Sequence, residues 1–209
     1  MKGYGQMFNL PKSTELYQLL PKTRIFKNIE LTSKDRTIID NSISNIYLVN
    51  NISNKTISHI EIGNEIKSIW FLLVNLKRYD NINSVCDILY NYIPQKIILV
   101  LKSEGNLSIS CYYDKLIISE NIDEDYALSI KGVNLDIIYE NFVIQIGDIV
   151  VANERTLKEQ ITENDRIESI KDQIRSLENK CKLEKQFNKK VEINNTINAL
   201  KKELNVLNA

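Results

Sequence analysis

From about residue 153 to the end the chain contains no glycine, proline or tryptophan, and its apolar residues fall on heptad spacing. Ile167, Ile170, Ile174, Leu177 and Cys181 step by 3, 4, 3 and 4; Ile193, Ile197, Leu200, Leu204 and Leu207 step by 4, 3, 4 and 3. Such a seam commits a segment to α-helix, because only a helix brings positions three and four apart onto one stripe. The two seams do not join in phase. Continuing the first places Val191 on register and leaves Ile193 off it. That slip, beside a Lys- and Asn-rich patch, predicts a coiled-coil-like helical hairpin over residues 153–207. A single helix with a stutter is the other reading, and it would span ~80 Å at ~1.5 Å per residue.

The preceding stretch, residues 7–150, reads as an α+β globular domain with a mixed β-sheet and flanking helices. Met1 to Gln6 reads as a leader. Ser13 or Thr14 is placed to cap a short helix carrying Leu16, Leu19 and Leu20 and ended by Pro21. A second helix is expected from Thr32 or Ser33 to about Ile43. Three strands follow: Asn45 to Val49; Lys55 to Ile62, where Ile57, His59 and Glu61 alternate with Ser58, Ile60 and Ile62; and Glu65 to Lys77, whose apolar centre suits burial on both faces. Asn83 or Ser84 opens a helix that stops before Pro94. Lys96 to Lys102 and Leu107 to Tyr113 form a hairpin around Gly105. Tyr126 to Ile130 is a short edge strand, and Asn134 to Ile146 an amphipathic helix. One core shared by sheet and helices gives the α+β class.

Composition excludes more chemistry than it supports. Lys+Arg and Asp+Glu are equal at 27 each, so no global field favours nucleic acid or an anionic surface. Cys86, Cys111 and Cys181 are far apart with no C-x-x-C pair, which argues against a zinc cage or disulfide framework. A single histidine, His59, leaves no room for a His-rich metal site, and a catalytic triad could form only around it. There is no phosphate-binding glycine loop. The longest apolar stretch, Ile69 to Val74, is far short of a membrane span, and no signal peptide pattern opens the chain, so a cytoplasmic location is expected.

One catalytic reading survives. Helix, three strands, helix, strand resembles the core of restriction-type nucleases, which hold Mg²⁺ through an acid on one strand and an acid-x-Lys on the next. Glu61 is the candidate first acid, with Glu65 and Lys67, or Asn75 and Lys77, as the pair; Asn75 lacks the required carboxylate. The tail supplies a second candidate. Lys180, Lys182, Lys185, Lys189 and Lys190 surround one acid, Glu184, and a basic hairpin tip can grip phosphates; a solvated turn is the plainer reading. The third is the seam itself (Ile167, Ile170, Ile174, Leu177, Ile193, Ile197, Leu200, Leu204 and Leu207), which must bury against something.

The opening Phe8-Asn9-Leu10-Pro11-Lys12-Ser13-Thr14-Glu15 and Pro21-Lys22, the segments Ile43 to Tyr47, Asn75-Leu76-Lys77 and Ile93-Pro94, and the closing Glu184 to Asn194 with Leu200 to Leu204 together resemble domain-of-unknown-function family 4391. The resemblance runs from Met7 nearly to the end. It implies a bacterial or archaeal protein encoded beside helicases and DNA methyltransferases in antiviral defence or restriction–modification loci. It also suggests Met7 as the initiator. The expected function is thus a non-enzymatic accessory or adaptor subunit of a DNA-processing or defence complex, without a cofactor, docking through its C-terminal helices onto a protein such as a helicase or methyltransferase. The alternatives are a degenerate or active Mg²⁺-dependent nuclease and a homodimeric structural protein.

Overall fold

The computed structural model describes residues 8–27, 30–123, 125–152 and 155–207. The leader expected at Met1 to Gln6, the initiator expected at Met7 and the hairpin's expected start at residue 153 lie outside the described residues. The chain divides into two compact units, one ending at Ile149 and one beginning at Val150.

The first unit is built on one mixed sheet. Its strands are β1 (Glu15–Leu19), β2 (Ile43–Ile52), β3 (Ile69–Leu76), β4 (Lys96–Ser103), β5 (Asn106–Tyr113) and β6 (Lys115–Ser119). They lie side by side in chain order, with β3 and β4 parallel and every other pair antiparallel. The parallel pair needs a crossover, and the helix at Ile82–Tyr92 supplies it. The helices are α1 (Lys22–Ile25), α2 (Ser33–Ser42), α3 (Ile82–Tyr92) and α4 (Leu135–Gly147). Thr32 caps α2 by accepting from the Asp35 N–H at 3.1 Å, and Asn134 caps α4 by accepting from the Ile137 N–H at 3.0 Å.

β3 and β4 are apolar on both faces because both faces are covered. On one face Leu48, Leu72, Val74, Leu99 and Leu101 share a core with Ile39 of α2 and Val85, Ile88 and Leu89 of α3. On the other, Phe71 meets the edge of Phe142 of α4 at 5.6 Å and Phe8 at 6.1 Å. Cys86 and Cys111 are fully buried, and burial pushes both thiols up to about 12. They act as small apolar residues.

Several expected elements take another form. Residues 13–20 do not make a helix: Lys12–Thr14 is a single 3-10 turn, and β1 follows. The stretch between Pro11 and Pro21 is too short to repay helix nucleation, and β2 offers it a ladder. Lys55 to Ile62 is not a strand. The Thr56 hydroxyl accepts from the Ser53 N–H at 2.9 Å, the Thr56 and Ile57 N–H groups donate to the Ser53 carbonyl, and Ile60 N–H donates to Ile57. Local bonds of this kind compete with a ladder. They bury Ile57 and Ile60, three apart, where the alternation predicted opposite faces. The third strand starts at Ile69 rather than Glu65, and Tyr126 to Ile130 reduces to an isolated bridge between Ala127 and Phe8. Two strands, not three, therefore separate α2 from α3. β6, which the sequence reading left out, extends the sheet beyond β5.

The second unit holds α5 (Leu157–Leu183) and α6 (Phe187–Leu207). A complete capping box opens α5: Thr156 accepts from the Glu159 N–H at 3.3 Å, and the Glu159 carboxylate accepts from the Thr156 N–H at 2.9 Å. The helix breaks after Leu183, which settles the hairpin against the single stuttering helix.

Candidate functional site

The acids and lysines singled out on the first unit fall at opposite ends of the sheet. Glu61 is exposed on a loop, where its backbone N–H donates to the Val133 carbonyl and its carbonyl accepts from Leu135. Glu65 and Lys67 are exposed and precede β3; Asn75 is the penultimate residue of that strand, and Lys77 follows the strand. The full strand separates Glu65 and Lys67 from Lys77, roughly 26 Å at about 3.3 Å per residue. Lys77 Nζ instead donates to the Asp40 carbonyl at 2.6 Å. The structure brings Glu61, Glu65 and Lys67 to the end of the sheet where β3 begins, and does not bring Lys77 to them. Among the described residues, no three His, Cys, Asp or Glu side chains converge in a metal-holding group.

The residue that organises this end is Asp136, near the start of α4. Its Oδ2 accepts from the Asn64 N–H at 2.6 Å and from the Glu65 N–H at 3.4 Å, and its Oδ1 accepts from the Ile66 N–H at 2.9 Å. Gly63 makes the approach possible: a Cβ there would stand 2.2 Å from Asp136 Oδ1. The carboxylate thus ties down the segment carrying Glu65. The sequence reading missed it, because its partners lie about 70 positions away.

In the second unit the seam closes on itself. Ile170, Ile174 and Ile197 form a buried core, and Leu177, Ile193, Leu200, Leu204 and Leu207 pack around it. Eight of the nine seam residues are used in this way; Ile167 is half-buried on the same helix. Ion pairs flank the seam, with Arg166 to Glu203 at 2.6 Å and Lys201 to Glu178 at 2.8 Å. The hydrogen bond from Lys201 holds the Glu178 carboxyl below the usual range.

Towards the connection the packing changes character. Beyond Leu177 the next seam residue is Cys181, whose Sγ lies 3.5 Å from Asn194 Oδ1. Small and polar groups fail to fill the space, leaving an open groove of about 360 Å³ lined by Cys181, Lys182, Lys190, Asn194, Asn198 and Lys201 among others. The connection is fixed by Glu184, whose Oε1 accepts from the N–H groups of Lys185 and Gln186, each at 2.8 Å. These bonds, the Gln186 one foremost, keep its carboxyl below the usual range. A carboxylate here also faces the positive end of the α6 dipole. Of the five tip lysines, Lys180, Lys182, Lys185 and Lys189 are exposed and Lys190 is half-buried. Leu183 and Phe187 stand among them, 82% and 77% exposed. The sequence reading places the lysines at the turn and leaves Leu183 and Phe187 off the seam, but it does not single them out as an exposed apolar pair; their off-register positions were the available signal.

The family described as a domain of unknown function (DUF4391) matches residues 8–204. No curated protein and no solved structure matches the chain.

Proposed function

The chain belongs to the DUF4391 family, and from that membership together with the geometry of its hairpin we propose that it is a non-enzymatic accessory subunit of a prokaryotic DNA-processing or defence assembly, docking onto a larger protein through the tip of the α5–α6 hairpin. The supporting observation is the contrast along the hairpin. The seam is satisfied internally, so the helices need no partner to bury it. Leu183 and Phe187 are left in water at the connection, on a segment whose backbone Glu184 holds in place. Large apolar side chains presented on a rigid turn within a ring of charge have the arrangement of an interface anchor with a polar rim. A helicase or DNA methyltransferase is the partner type this reading names, and the tip lysines suit an acidic surface on it.

The test is the double variant Leu183→Asp/Phe187→Asp in the full chain. Neither side chain supports the seam, so stability should stay within about 0.5 kcal/mol of wild type. Affinity for the copurifying partner should fall about 30-fold or more, the loss of one anchor of about 2 kcal/mol. Unchanged affinity would remove the tip from the interface.

A further inference from the structure

β1 stands at one edge of the six-stranded sheet, and it is unlike the strand at the other edge. β6 opens with Lys115, none of its residues is exposed, and α4 and α3 pack on it. Four of the five residues of β1 are exposed. Three of these are large and apolar: Leu16 at 41%, Tyr17 at 57% and Leu19 at 49%. Natural sheets guard such an edge with lysine, proline or an inward-pointing charge. From Leu16 to Leu20 the chain carries none of them. A register shift between Glu15 and Gln18 interrupts only the start of the strand.

The ladder with β2 fixes what this edge offers. The Leu20 N–H donates to the Ile46 carbonyl at 2.8 Å, and Gln18 and Leu19 stand opposite Leu48 and Tyr47. Backbone groups alternate in direction along an antiparallel strand. Leu20 and Gln18 therefore turn theirs towards β2, and Leu19 and Tyr17 turn theirs away from it. Side chains alternate as well. Leu19 and Tyr17 share the face of Tyr47, on whose ring Tyr17 stacks at 4.9 Å. Leu16, Gln18 and Leu20 share the other face.

This edge is complementary to itself. When two copies of β1 run antiparallel about a two-fold axis at Gln18, Tyr17 of each copy meets Leu19 of the other. These are the residues with outward backbone groups, and each such pair exchanges both N–H···O bonds. On one face Tyr17 then lies beside Leu19; on the other, Leu16 lies beside Leu20 and Gln18 beside Gln18. Apolar meets apolar and amide meets amide, as in the cross-strand pairs that stabilise antiparallel sheets. Charge agrees with this register: Glu15 falls opposite Pro21, next to Lys22, and no like charges oppose each other between Glu15 and Pro21.

We propose that two copies of this chain associate through β1, joined into one continuous sheet by Tyr17–Leu19 pairing across a two-fold axis at Gln18. A contact of this length is at the small end of specific interfaces, which puts the dissociation constant on the order of micromolar or weaker. The proposal concerns the first unit and is independent of the hairpin tip.

The test is sedimentation velocity of the full-length protein over a concentration series from about 1 to about 500 μM. Wild type should pass from monomer to dimer. Gln18→Glu sets two carboxylates against each other on the axis and should weaken the dimer about tenfold or more at low salt; Gln18→Lys should do the same. Mixing the two variants should restore the dimer as a heterodimer, because opposite charges then meet. Gln18 is exposed, so neither change should alter the fold, which circular dichroism checks. Leu183→Asp/Phe187→Asp should leave dimerisation unchanged. A chain that stays monomeric throughout overturns the proposal and leaves this edge to a strand of another protein or to solvent. A dimer indifferent to both Gln18 variants, a dimer abolished by Leu183→Asp/Phe187→Asp, or weakened Gln18 variants that do not recover on mixing also overturns it.

Discussion

Asp136 and Gly63 show how much of a fold can depend on a contact that no local pattern announces. Three backbone N–H groups of the segment entering β3 converge on one carboxylate, and a charged acceptor makes such bonds stronger than neutral ones. Asp136→Ala should destabilise the first unit by about 1–3 kcal/mol in chemical denaturation, the cost of stranding the donors it satisfies. Gly63→Ala should also destabilise, because the new Cβ displaces that carboxylate. The two should be less than additive in the double variant, since both act through the same contact. In the sequence, the helix that opens near Asn134 is legible because its apolar spacing is a local pattern. Asp136, two positions on, was not legible, because its role depends on where residues 63–66 fold. Thr14 is the complementary case. Ser13 or Thr14 reads in the sequence as a helix cap, yet the Thr14 hydroxyl is bonded to Pro11 and Asn50.

At the scale of elements, periodicity carried the reading where tertiary packing repeats it. The heptad seams marked α5 and α6 and the phase slip between them, which left a break and a stutter both open, and the apolar runs specified β3 and β4. Alternation failed at Lys55 to Ile62, where Ser53 and Thr56 offer the backbone a local turn instead. It also missed β6, a five-residue strand that follows directly on the turn at Asp114, whose φ is 57°. Ile174→Ala or Ile197→Ala should cost about 2–4 kcal/mol of hairpin stability, as expected for emptying a packed position, and calorimetry of the full chain would show it. The hairpin should also weaken in acid. Glu178 and Glu184 have folded pKa values below the ordinary 4.5. Their contribution is therefore complete above the unfolded value and is lost as pH falls through the folded ones. Far-UV melting at descending pH should show the loss beginning near pH 4.5 and deepening below it, and Glu184→Gln should flatten it. Both carboxylates are exposed, so the effect should shrink in high salt.

For the molecule as a whole, the α+β class and the helical pair were readable from the chain, whereas the function was not, for a physical reason. Catalytic chemistry leaves residue signatures: loops of glycine, histidines, convergent acids. An interaction surface leaves only apolar groups that the core does not use, and the sequence alone does not give their exposure: Leu183 and Phe187 are off register in the chain, and the assembled hairpin leaves them 82% and 77% exposed. The balanced charge of the chain also means that the lysines at the tip act as a local feature and not as part of a general basic surface.

The most direct test of the accessory-subunit reading is copurification of the tagged full-length protein from its native cells, with wild type and Leu183→Asp/Phe187→Asp run in parallel and bound proteins quantified by mass spectrometry. The account predicts a stoichiometric DNA-processing partner with wild type and its loss with the variant, both proteins being equally folded. Wild type that emerges alone, or a partner held equally by both, would contradict it.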